Sequence, residues 1–92
     1  MTEKYRIPKT AVTYGQLEKA LLSLGFTRSE VESNGASVVN YDHKKTGACI
    51  RLPSFPESDF VLDYHLAAVH STLSDFGVAD PSAFDAKLQK AG

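Results

Sequence analysis

Apolar residues recur along this chain in two rhythms. Leu17, Ala20, Leu21 and Leu24 fall at i, i+3, i+4 and i+7, one apolar face of an amphipathic helix. The four residues before Leu17, Thr13-Tyr14-Gly15-Gln16, match a capping box, so the helix is predicted to begin after Thr13, with Val12 as a hydrophobic staple. Gly25 ends it at the usual place just past the last turn. From Phe26 the rhythm shortens towards two. Phe26 to Ser33 is predicted as a first strand, though Glu30 and Glu32 are poor strand formers. Asn34-Gly35 is a strong hairpin signal, because a type I′ turn needs positive φ twice. Ala36 to Asp42 is the second strand, His43 to Thr46 the next turn, and Gly47 its close. Ala48, Ile50 and Leu52 then alternate against Cys49 and Arg51 in a third strand.

Register follows from the turns. If Asp42 pairs with Gly47, Val39 faces Ile50 and Ser37 faces Leu52. A tight Asn34-Gly35 turn sets Glu30 opposite Val39 on the core face, a conflict expected to be relieved by a bulge or an irregular first strand. Pro53 and Pro56 bracket a loop, after which Ser58 or Asp59 is the expected cap of a second helix. Leu62, Leu66, Val69, Leu73 and Phe76 form its apolar stripe, and Gly77 ends it. Asp80-Pro81 is a further N-cap with Pro at N1, and Phe84 and Leu88 lie one turn apart in a short third helix. The sum is an α+β domain: helix, three-stranded antiparallel sheet, helix, plus a short C-terminal helix. All of 1–92 is expected to form one domain, with 1–12 an extended arm, 13–77 the core and 78–92 a C-terminal helical extension.

Composition adds limits. The single cysteine, Cys49, has no internal partner, so the fold relies on packing, and the thiol is expected to be quiet and half-buried. No apolar run is long enough to span a bilayer, and Met1-Thr2-Glu3-Lys4-Tyr5-Arg6 lacks the apolar stretch of a signal peptide. A cytoplasmic protein with no membrane partner is the expectation. Net charge is −1, which argues against a dedicated nucleic-acid binder. The charge is nevertheless segregated. Glu57, Asp59, Asp63, Asp75, Asp80 and Asp85 follow one another with no Lys or Arg between them, whereas His43, Lys44, Lys45 and Arg51 gather cations on one hairpin.

The histidines do not form a site by spacing. His65 and His70 are five apart, so their side chains diverge by roughly 140° around a helix. With one cysteine and scattered histidines, neither a metal site nor any other cofactor is expected. No Ser-His-Asp constellation is visible, and His43 reads as an exposed turn histidine.

The order of elements is that of the double-stranded-RNA-binding-domain-like fold. Within it the chain resembles the HicA-like (YcfA-like) family, small mRNA-cleaving toxins of bacterial toxin–antitoxin pairs. The resemblance spans about residues 13–77. It rests on Leu24-Gly25-Phe26 at the end of the first helix, a Gly opening the second strand, a His near that strand's end, a Gly opening the third strand, and Pro53 at its close. It implies RNA cleavage by general acid–base chemistry centred on a histidine two residues after the first of those strand glycines. Here that position is Ser37, in Gly35-Ala36-Ser37, or Val38 if Tyr41 is set at the family's aromatic position. Neither side chain exchanges a proton near pH 7. His43 lies about 20 Å further along the strand, too far to stand in. No catalytic residue is therefore assigned. The expectation is a HicA-like domain that binds RNA or a protein without cleaving. RNA contact would fall to His43, Lys44, Lys45 and Arg51, with Tyr41 nearby to stack a base. The alternatives are an interaction module for an antitoxin-like protein, and an active ribonuclease that uses another residue.

Overall fold

A computed structural model describes residues 9–91. In chain order the elements are β1 (Lys9–Thr13), α1 (Tyr14–Ser23), β2 (Thr27–Ser33), β3 (Ala36–His43), β4 (Ala48–Pro53), β5 (Phe60–Leu62), α2 (Asp63–Asp75) and α3 (Pro81–Ala91). β2, β3 and β4 form an antiparallel three-stranded sheet in that order, and β1 pairs with β5 in a separate two-stranded sheet. The architecture is the expected α+β order of helix, three strands and helices.

Local chemistry explains where α1 starts and stops. The Thr13 hydroxyl accepts the Gln16 N–H at 3.2 Å, and the Gln16 side-chain oxygen accepts the Thr13 N–H at 2.8 Å, the reciprocal capping box. The next two orphan donors are met from far along the chain. Tyr14 N–H donates to the Asp59 carbonyl at 2.9 Å and Gly15 N–H to the Glu57 carbonyl at 3.0 Å. At the other end Gly25 takes φ +100°, a conformation a Cβ disfavours. Gly25 and Phe26 donate back to Leu22 and Leu21 at 3.1 and 3.2 Å, a Schellman closure. α2 closes alike, Val78 N–H reaching the Leu73 carbonyl at 2.9 Å.

Those long-range caps correct the expected start of α2. The carbonyls of Glu57 and Asp59 serve α1, and residues 60–62 pair with β1 as β5. Neither Ser58 nor Asp59 is the N-cap of α2. The cap is Leu62, with no side-chain hydrogen bond.

The register departs from expectation in two places. β2 and β3 run from Ser33 opposite Ala36 to Thr27 opposite Asp42, with Glu30 facing Val39 and no bulge. Asn34 and Gly35 both hold positive φ, 53° and 81°, as the tight turn demands. The conflict at Glu30 is resolved by cover instead. The helices stop short of the β2 edge, so Glu30 is exposed on the inner side. In β3–β4 the partners are Val39–Leu52, Tyr41–Ile50 and His43–Ala48, a slip of two residues from the expected pairing. A slip of two preserves the faces, so Val39, Tyr41, Ile50 and Leu52 still point into the core.

Leu17, Leu21, Val61, Val69, Leu73 and Phe84 are the most completely enclosed of the larger side chains. The expected stripe on α2 is rotated. His65, Val69 and Leu73 are its buried residues, Leu66 is half-buried, and Phe76 is exposed. α3 packs back through Phe84 and Leu88, with the Asp80 carboxylate accepting the Ala83 N–H at 2.8 Å. Among the described residues no helix is long and apolar enough to cross a membrane.

Candidate functional site

The hairpin cluster read from the sequence is divided by the fold. His43 is buried, not an exposed turn residue. Its Nε2 lies 3.0 Å from the Leu24 carbonyl and its Nδ1 2.8 Å from the Thr46 hydroxyl. A carbonyl can only accept, so Nε2 carries the proton. The ring therefore clamps the end of α1 to the β3–β4 turn. Its centroid is 4.9 Å from that of Phe26. Lys44 and Lys45 are exposed in the turn. Arg51 is exposed on the outer face of the sheet, its Nε donating to Asn40 at 2.9 Å. Tyr41 is 5 % exposed and faces inward, so no base can stack on it from the outer face. Cys49, expected to be half-buried, is exposed.

Ser37 and Val38, the two positions at which the resemblance would set its histidine, fall on opposite faces. Ser37 shares the inner face with Val39 and Tyr41, and its carbonyl accepts the Ser54 N–H at 3.0 Å. Val38 lies on the outer face, opposite Val31 in β2 and Pro53 in β4. There it lines a groove of about 260 Å³ with Val31, Glu32, Asn40 and Arg51.

The other histidines are also engaged. His65 is buried, with Nδ1 2.9 Å from the Tyr14 hydroxyl, which in turn accepts the Leu62 N–H at 3.2 Å. Tyr14 thus donates to His65. Burial holds the His65 imidazole below its usual range. His70 meets Asp85 at 2.9 Å and ties α2 to α3.

A second concavity lies on the inner side, where the sheet outruns the helices. Leu17, Val39 and Leu52 form its floor, and the cleft holds about 250 Å³. One wall is the stacked pair Tyr14 and Phe55, centroids 4.5 Å apart and planes 9° from parallel. The opposite wall is polar. Arg28 Nε reaches Glu18 at 2.7 Å, its terminal nitrogen reaches Glu30 at 3.2 Å, and the Tyr41 hydroxyl donates to the same Glu18 oxygen at 3.2 Å. Burial, with the Glu18 carboxylate beside it, pushes the Tyr41 hydroxyl up to about 12, so it stays a donor. Glu57, itself exposed, also lines the cleft.

Sequence reasoning missed this cleft. One signal was present: Arg28, Glu30 and Glu32 alternate at positions that should face the core, which marks an uncovered face.

No family model matches the chain, and neither a curated protein nor a solved structure does.

Proposed function

We propose that this chain is a HicA-like domain without mRNA-cleaving activity that works by binding an antitoxin-like protein through the outer face of its sheet. The observation that carries the reading is the groove around Val38. At one of the two positions where the resemblance calls for a proton-transferring histidine, the chain carries a valine beside Val31, with Arg51 and Asn40 alongside. An apolar floor with a polar rim suits a protein surface. It offers no base for attack by a ribose 2′-hydroxyl.

A second reading, RNA binding, is favoured by the exposure of Lys44, Lys45 and Arg51. It is weakened by the inward turn of His43 and Tyr41, which takes the imidazole and the stacking ring out of reach. Titration of mixed single-stranded RNA at low salt separates the two. Protein binding predicts no saturable RNA affinity. RNA binding through the hairpin predicts a log–log salt slope of about 0.7 per phosphate neutralised, which Lys44→Ala with Lys45→Ala reduces by roughly one unit. Saturable RNA binding with that behaviour overturns the protein reading.

A further inference from the structure

The inner cleft is remote in face from the outer groove, and its chemistry is different. Arg28 is the one cation in its lining, and it is already committed to two carboxylates. Glu18 and Glu57 line the same space and Glu30 adjoins it, so carboxylates outnumber the guanidinium. Among the described residues Glu57 has no ion pair. The start of α1 does not reverse this sign, because its first N–H groups are taken by Asp59, Glu57 and Thr13 and none remains to hold an anion. An anionic ligand is disfavoured here and a cation favoured. At about 250 Å³ the cleft is smaller than the ~300–1,000 Å³ of ordinary small-molecule pockets, so it suits one side chain.

From this we infer that the inner cleft receives an arginine side chain from a partner polypeptide. Its aliphatic stem lies over Leu17, Val39 and Leu52, and its guanidinium sits flat against Phe55 and faces Glu57. Arginine fits better than lysine because a planar, weakly hydrated guanidinium stacks on an aromatic face, while an ammonium keeps its water. The apolar floor matches the stem, as long cationic side chains bury their methylenes while the head stays polar. The inference rests on the reading of the chain as a protein-binding domain and adds a second contact, on the opposite side of the sheet from the outer groove.

The test is an NMR titration of the full isotope-labelled chain with three probes: acetyl-Gly-Arg-Gly-amide, its norleucine counterpart, and inorganic phosphate. The arginine peptide is expected to shift the amides of Gly15, Glu18, Leu52 and Phe55, and the norleucine peptide to bind more weakly. Glu57→Gln should weaken the arginine peptide by about two- to fivefold, the range of an exposed ion pair. The Glu57 backbone carbonyl that caps α1 is untouched by that change, so the spectrum should stay dispersed. Equal shifts from the norleucine peptide, shifts of these amides by phosphate, or no shifts from arginine while the peptide stays soluble each overturn the proposal. A blank titration leaves the outer-face reading standing. Saturable RNA binding through Lys44 and Lys45 would overturn that reading instead.

Discussion

Removing one oxygen, by Tyr14→Phe, tests the contact that joins the starts of α1 and α2. The hydroxyl accepts the Leu62 N–H at 3.2 Å and donates to His65 Nδ1 at 2.9 Å. His65 is 7 % exposed, so water cannot readily replace the lost donor, and an unsatisfied buried acceptor costs about 1–3 kcal/mol. The Leu62 amide lies at a half-buried cap and recovers part of its loss from solvent. The expected total is about 2 kcal/mol, which in a domain of this size lowers Tm by roughly 10 °C. The phenyl ring keeps its stack on Phe55, worth about 0.5–1.5 kcal/mol. Tyr14→Ala loses that stack and much packing, and should cost about 3–5 kcal/mol. Urea denaturation of the three proteins measures both steps. A Phe variant within about 0.5 kcal/mol of the parent would refute the bridging role of the hydroxyl.

Two further outcomes follow from burial. Because burial lowers the folded-state pKa of His65, the unfolded chain takes up a proton first. Stability should be full above the unfolded value of about 6.5 and fall as pH drops through it towards the folded value. Urea midpoints compared at pH 8 and pH 5 check the sign, and His65→Asn should flatten this part of the dependence. Leu73, 1 % exposed, should lose about 2–5 kcal/mol on change to Ala, and half-buried Leu66 clearly less; equal losses would show that α2 buries a different face.

What the sequence made legible is what local rules govern. The capping box at Thr13, the closure at Gly25 and the Asn34-Gly35 turn depend on neighbours a few residues apart, and each formed as its residues dictate. The faces of β3 and β4 were legible because a period of two survives an even slip. The exact pairing was not, since it depends on how a turn closes around a buried His43. β1 and β5 were illegible for a different reason. Their pairing, and the use of the Glu57 and Asp59 carbonyls as caps for α1, join segments more than 40 residues apart, and no local pattern encodes that. The lack of a proton-transferring group at Ser37 and Val38 is legible from residue type alone. Their placement on opposite faces follows from strand alternation. The inner cleft stayed hidden because its lining comes from α1, all three strands of the larger sheet and the loop at Phe55.

The central claim is that this domain binds without cutting. Purified chain incubated with mixed RNA near neutral pH, with products resolved on a gel, tests it most directly, with a Ser37→His variant alongside. Intact RNA is expected from the parent chain. No strong cleavage is expected from the variant either, because the introduced imidazole would stand on the inner face with Ala36 and Val38 still departing from the pattern that the resemblance calls for. Cleavage by the parent chain that persists unchanged in specific activity through repurification would contradict it.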